Sequence, residues 1–220
     1  MDKEILSKRI SSILSDIARL TNALYAMGTT DIQRQPDNYE TLSIDAALRA
    51  EQITCRLRHL IYATTSLKKG EYLTSAAVIQ GIKIEYKNGI VEITLPCLLP
   101  KRKRWQGAEF LLDSFTAALD QYSKSHTMPR FQHCVVCFSH VYCKSLPRRR
   151  VRDYDNLELK QFLDVAASFM LTDDTGLLCD AYNTTELGDT DCTRISIMDS
   201  KLFPAWLSTR ETELQSIVDL

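Results

Sequence analysis

The spacing of apolar residues divides the chain into a helical front and a mixed remainder. Between residues 3 and 27, Ile10, Ile13, Leu14, Ile17, Leu20 and Leu24 recur at helical intervals, with Ser, Asp, Arg and Lys between them. That period predicts an amphipathic helix ending at Gly28. A polar connection containing Pro36 follows. A second helix is predicted from about Tyr39 to Thr65, with Leu42, Ala46, Ile53, Leu57, Leu60 and Ile61 as its apolar side. Two long helices joined by a short turn make an αα-hairpin. Its stripe is a packing surface, against the rest of the chain or against a second copy. Residues 67–79 read as a junction of mixed character around Gly70. The boundary is set there, with a helical hairpin over 1–70 and a second domain over 71–220.

The period then changes from helical to alternating. Ile82-Lys-Ile-Glu-Tyr86 and Ile90-Val-Glu-Ile-Thr-Leu95 alternate on either side of Lys87-Asn88-Gly89. Asn-Gly between two alternating runs is the strongest short hairpin signal. A loop from Pro96 to Arg104 precedes a helix over 106–125, with Phe110, Leu111, Phe115, Ala118, Leu119 and Tyr122 facing inward. Phe131 to Tyr142 reads as a strand. Asn156 to Leu171 reads as a helix burying Leu157, Phe162, Leu163, Ala166 and Met170. Leu177 to Thr184 and Cys192 to Met198 read as a closing hairpin, and a short helix is expected after Pro204. The sum is an α+β fold, a small mixed β-sheet with helices packed on one side, preceded by the α-helical hairpin.

Composition changes this picture little. The chain has 220 residues, 45% hydrophobic and 25% charged, with a formal net charge of −1; these are ordinary values for a globular protein. No apolar run approaches the roughly 20 residues that cross a bilayer, and the acidic, polar start is no secretory signal. The seven cysteines are odd in number and irregularly spaced. They read as reduced thiols of a cytoplasmic protein, mostly buried as small hydrophobes.

Charge placement changes it more. Lys101, Arg102, Lys103 and Arg104 form one basic run, and Arg148, Arg149, Arg150 and Arg152 form another. The second run leads directly into Asp153-Tyr-Asp155-Asn156, and Asp173-Asp174 follows one helix later. In an extended chain, residues i and i+2 point to the same side, so Asp153 and Asp155 would face one point. Converging carboxylates repel unless a cation neutralises them. Neighbouring arginines suit a polyanionic substrate. The alternative is that Asp155 and Asn156 merely cap the following helix, which leaves the Asp-x-Asp spacing and the second acidic pair unexplained.

These residues carry a resemblance. Over roughly residues 82–200 the chain resembles the RusA family of Holliday junction resolvases, in motif order as well as in motif. Ile93-Thr94-Leu95-Pro96 ends a strand; a basic loop, a long helix and a strand follow. The arginine-rich Asp-x-Asp-Asn-Leu of Arg148 to Leu157 comes next, then Asp173-Asp174. The resemblance implies that Asp153, Asp155 and Asp174 bind Mg²⁺, with Mn²⁺ as a substitute. It implies a homodimer that cuts branched DNA, with both basic runs contacting the nucleic acid. The family also needs a lysine in the first turn of the helix. Lys160 stands one position later, and Leu159 occupies the usual place; one residue on a helix is a rotation of about 100°.

Two other signals are weaker. His133, Cys134, Cys137, His140 and Cys143 have the composition of a zinc site. On a strand, however, positions i and i+3 point to opposite faces, whereas a structural zinc needs four converging ligands. Trp105 beside the first basic run suits either base stacking or anchoring of a helix entry. The leading expectation is a Mg²⁺-dependent endonuclease acting on branched DNA. The alternative is a non-catalytic DNA-binding or protein-interaction adaptor on the same fold.

Overall fold

The computed structural model describes residues 3–100, 109–146 and 148–218, with backbone alone at 109–110, 149 and 211–218. The chain divides into two compact units, Met1–Lys69 and Gly70–Leu220.

The first unit is a pair of helices, α1 (Lys3–Thr29) and α2 (Pro36–Thr64). Pro36 opens α2, where its fixed φ fits and its missing N–H costs nothing. The helices close on Ile13 and Ala23 of α1 and Ala46 and Ile53 of α2. Arg56 crosses between them to Asp16, and its Nη2 donates to Ser12 Oγ at 2.8 Å. The remainder of the expected α1 stripe is not core: Ile10, Leu14, Ile17 and Leu24 are all exposed. A two-helix hairpin offers each helix one neighbour, so only one narrow seam is covered.

The second unit opens with a helix where the sequence suggested only a junction, α3 (Lys69–Gln80). Its end is well specified. Ile82 N–H donates to Ala77 O and Gly81 N–H to Val78 O, with Gly81 at φ +83°. This is the paired C-terminal capping pattern that needs a left-handed residue. Strands β1 (Lys83–Lys87) and β2 (Ile90–Leu95) then pair antiparallel, Lys87 opposite Ile90. Asn88 and Gly89 both have positive φ, at 53° and 81°, which is the turn the Asn-Gly pair predicts.

Helix α4 (Glu109–Ser125), strand β3 (Cys134–Cys143), helix α5 (Lys160–Met170), strands β4 (Cys179–Gly188) and β5 (Cys192–Asp199) and helix α6 (Phe203–Val218) complete the unit. The five strands form one mixed sheet in the order β1-β2-β5-β3-β4. The fold is therefore α+β, as the sequence indicates.

The closing hairpin is not formed. β4 pairs parallel with β3, while β5 pairs antiparallel with β3 on its other edge. The reason lies in β3. Nine of its ten positions are buried, so its backbone groups lack water on both edges and need a strand on each. The short link from β4 to β5 passes over the end of β3, where Lys144 N–H donates to Gly188 O. There a Cβ on residue 188 would lie 2.6 Å from Val141 Cγ1, so glycine suits the crossing.

Alternation along the strands separates two cores. Val91, Ile93, Val136, Phe138, Ile195 and Ile197 face α4 and α5, where they meet Phe115, Leu119, Phe162 and Met170. Phe115 and Phe162 stack with centroids 5.9 Å apart. Val135, Cys137 and Met198 face the other way, toward Phe203 and Trp206 of α6. The helices are thus not confined to one side, because α6 begins over the second face.

Candidate functional site

The acidic segment following β3 is held at both ends by contacts to the sheet. Arg148–Arg150 form a 3₁₀ turn, and Arg150 grips Asp191 in a bidentate pair, Nη1 to Oδ2 and Nη2 to Oδ1, both at 2.6 Å. The same Asp191 Oδ1 accepts Cys143 N–H at 2.6 Å, and Arg150 Nη2 reaches Cys143 O at 3.3 Å. The guanidinium also lies 5.5 Å above the Tyr142 ring. Its hydrogen bonds hold the Asp191 carboxyl below the usual carboxylate range. Two residues on, Arg152 N–H donates to Tyr142 Oη at 3.1 Å. Tyr154 then meets Thr185 through its hydroxyl at 3.0 Å and lies 5.6 Å from the His140 ring.

This brackets Asp153 and Asp155 between fixed points and changes their relation. Tyr154–Asn156 is a second 3₁₀ turn, with Asp153 as its extended cap residue. The same-side argument for positions i and i+2 requires extended chain, so it does not apply to this pair. Leu157 is extended and buried, Glu158 N–H donates to Pro100 O, and α5 begins only at Lys160. The helix therefore starts four residues later than its apolar pattern suggested, because burying Leu157 interrupts it.

At the far end of α5, Phe131 N–H donates to Met170 O and Thr172 N–H to Phe131 O. The chain turns there into β4. Asp173 Oδ1 accepts Thr175 N–H at 3.1 Å and so serves the turn. Asp153, Asp155 and Asp174 are exposed and make no hydrogen bond or ion pair with any described residue. Lys160 is also exposed, its ammonium bonded to Asp164 at 2.9 and 3.1 Å. That bond raises its pKa; the nearby charges of Asp174 and Glu158 add to the effect and burial opposes it. Lys160 and Asp174 are thus within electrostatic reach. Among the described residues no three His, Cys, Asp or Glu side chains are grouped to hold a metal ion.

Of the expected phosphate-binding cations, Arg148 is exposed and Arg152 half-buried, while Arg150 is taken by Asp191. Lys101, Arg102, Lys103 and Arg104, with Trp105, lie outside the described residues, as does the side chain of Arg149. In the cysteine-rich strand, Cys134 and His140 share one face of β3 and Cys137 and Cys143 the other. All seven cysteines are free; three are buried, two half-buried and two exposed, fewer buried than expected.

Sequence reasoning missed the support beneath the acidic turn. His140 is fully buried with no well-formed hydrogen bond at either ring nitrogen, and Asn183 on the neighbouring strand is close enough to offset part of the effect of that burial. Burial lowers the His140 pKa. A histidine within an apolar strand gives no sequence signal of its neighbours, which belong to β4 and to the acidic turn. Asp191 was readable only as a turn residue.

The model of one protein family, described as a family of unknown function (DUF6100), matches residues 2–220. No curated protein and no solved structure matches the chain. Among the described residues, no helix is long and apolar enough to cross a membrane.

Proposed function

The chain belongs to the DUF6100 family, and we propose that its Gly70–Leu220 unit is a RusA-like endonuclease domain. It would act on branched DNA in the cytoplasm, as a homodimer, with Mg²⁺ as cofactor. One observation carries the reading: Asp153, Asp155 and Asp174, the three carboxylates of the family pattern, bracket α5, are all exposed and pair with no described residue. Four other acids of this unit are engaged, whereas Glu158 and Asp180 pair with no described residue. Asp164 holds Lys160, Asp173 caps its turn, Asp189 pairs with Lys144 and Asp191 pairs with Arg150. The succession of hairpin, helix, strand, acidic turn, helix and acidic turn also supports the resemblance, while the closing hairpin expected over Leu177 to Met198 is replaced by two strands on opposite edges of β3.

The donors fit the cofactor in kind. Mg²⁺ takes oxygen ligands, and it is commonly held by one or two carboxylates together with substrate phosphate and water. A pre-formed group of three ligands is therefore not required. Asp153, Asp155 and Asp174 would hold the ion, which supplies Lewis acidity toward a phosphoryl oxygen and a bound water of lowered pKa. Arg148 and Arg152 would bind flanking phosphates through their guanidinium forks. Lys160 would offset negative charge near Asp174. Arg150 has a different task, holding the acidic segment to the sheet.

The test is nicking of a four-way junction by the single variants Asp153→Asn and Asp174→Asn. Each is expected to lose activity by at least roughly a hundredfold, the usual scale for removing transition-state electrostatics. Full activity in both would remove Asp153 and Asp174 from the site. A second reading, a non-catalytic DNA-binding adaptor, is favoured by Lys160 being bonded to Asp164 rather than left open. It predicts salt-sensitive DNA binding without cleavage in Mg²⁺ or Mn²⁺.

A further inference from the structure

The helical hairpin of α1 and α2 has two unlike flanks. Its seam runs along Ile13 and Ala23 of α1 and Ala46 and Ile53 of α2. Arg56 closes one flank of that seam, pairing with Asp16 and donating to Ser12 Oγ. At about 100° per residue, the opposite flank of α1 carries Leu6, Ile10, Leu14, Ile17 and Leu24. The matching flank of α2 carries Ser43, Ala50, Thr54 and Leu57. Neither stripe contains a charged residue. Leu14 is 59% exposed and Leu24 53%, and Ile10, Ile17 and Leu57 are exposed as well.

The two stripes differ in size. α1 presents long aliphatic side chains as a ridge, and α2 presents mostly short ones as a trough. Ridge and trough are complementary, but they lie side by side and cannot meet within one copy. A two-fold axis along the helices sets α1 of each copy on α2 of the other, the reciprocal contact of an isologous interface. Long side chains then enter the spaces over short ones, as in helix bundles. With no charge on either stripe, no like charges are brought together. The extent of the surface also suits a stable dimer. α1 has 27 residues, which is about 40 Å of helix. Two helices side by side are about 20 Å across. The resulting face is about 800 Å², what each partner contributes to a standard interface.

We propose that a second copy of the chain covers this flank, so that two hairpins form a four-helix bundle with both loops at one end. This gives the homodimer of the preceding reading its interface and does not depend on nuclease chemistry.

The experiment is sedimentation equilibrium of the purified protein at micromolar concentrations, with far-UV circular dichroism on the same samples. The native protein is expected at twice the 25.1 kDa of one chain. Leu14→Glu is expected to raise the dimer dissociation constant at least roughly a hundredfold, the scale for an unpaired charge in a buried contact, with helical content unchanged. Ala50→Leu, which fills the trough, is expected to raise it roughly tenfold. Arg19→Glu, a larger change of charge on the exposed, charged side of α1, is expected to leave the dimer intact. A monomeric native protein would overturn the proposal. So would undiminished affinity in Leu14→Glu, which would mean that the dimer is held elsewhere, or in Ala50→Leu. Loss of helical content in Leu14→Glu would also overturn it, because the flank would then be covered by the same chain. The readout is mass, so absence of DNA cleavage bears only on the nuclease reading.

Discussion

Replacing Asp191 by alanine removes three contacts at once, and its cost can be worked from the geometry. The bidentate pair with Arg150 has both oxygens engaged at 2.6 Å, and the two side chains are 26% and 29% exposed. Partial exposure screens the pair, so it contributes about 1–2 kcal/mol rather than a fully buried value. Cys143 N–H also loses its acceptor at 2.6 Å, which costs about 1 kcal/mol. The sum is about 2–3 kcal/mol, or a fall of roughly 5–10 °C in the midpoint of a domain of this size. Thermal unfolding followed by circular dichroism measures it. The pH dependence adds a second check. The Asp191 pKa is depressed in the folded protein by its hydrogen bonds to Arg150. Its contribution is therefore complete above the unfolded aspartate value of about 3.9 and is lost as pH falls through the lower folded value. The gap between native and Asp191→Ala should close over that acidic window. A midpoint within about 1 °C of the native protein near pH 7 would refute the clamp, because it would mean the turn is held by something else.

Other consequences follow from the two cores. Phe162→Ala, at a fully buried position stacked on Phe115, is expected to lose about 3–5 kcal/mol in urea unfolding; a loss under about 1 kcal/mol would show that α4 and α5 are not joined there. Burial lowers the His140 pKa, so below about pH 6.5 the unfolded chain takes up a proton that the folded one resists. Stability should then fall with pH by up to about 1.4 kcal/mol per unit until the folded value is reached; His140→Leu should flatten that stretch of the urea-unfolding profile, and an unchanged slope would contradict it. Desolvation pushes the Cys134 and Cys137 thiols up to about 12, whereas hydrogen bonding to Ser145 lowers that of Cys143. Mass-mapped alkylation of the native protein near neutral pH should therefore reach Cys143 well before Cys134 and Cys137, and equal rates would exclude these environments.

Local chemistry was readable in the sequence, and pairing partners were not. Asn88-Gly89 specified its turn, and the alternation of Val91, Ile93 and Leu95 specified a buried face, because those signals lie within a few residues. Phe115, Leu119, Phe162, Ala166 and Met170 were found from helical spacing for the same reason. The partner of β4 is a nonlocal choice, set by a central strand that needs cover on both edges, so two adjacent strand-like runs were read as a hairpin. Helix α5 begins late because Leu157 is drawn into the core, a tertiary demand that overrides helical spacing. Helix α3 has little amphipathic contrast, and only the Gly81 cap marks it. For the candidate site, the motif singled out Asp153, Asp155 and Asp174, and the structure adds that they pair with no described residue, while Asp173 accepts Thr175 N–H. The Arg150–Asp191 clamp joins residues 41 apart, and no motif signals it.

The most direct test of the central claim is incubation of the purified protein with a labelled four-way DNA junction and a matched linear duplex, with Mg²⁺ and with chelator. The endonuclease reading predicts paired nicks in the junction, dependent on Mg²⁺, with the linear duplex left intact. An uncut junction in both Mg²⁺ and Mn²⁺, under salt conditions where the protein binds it, would contradict that reading and leave the unit as a DNA-binding adaptor.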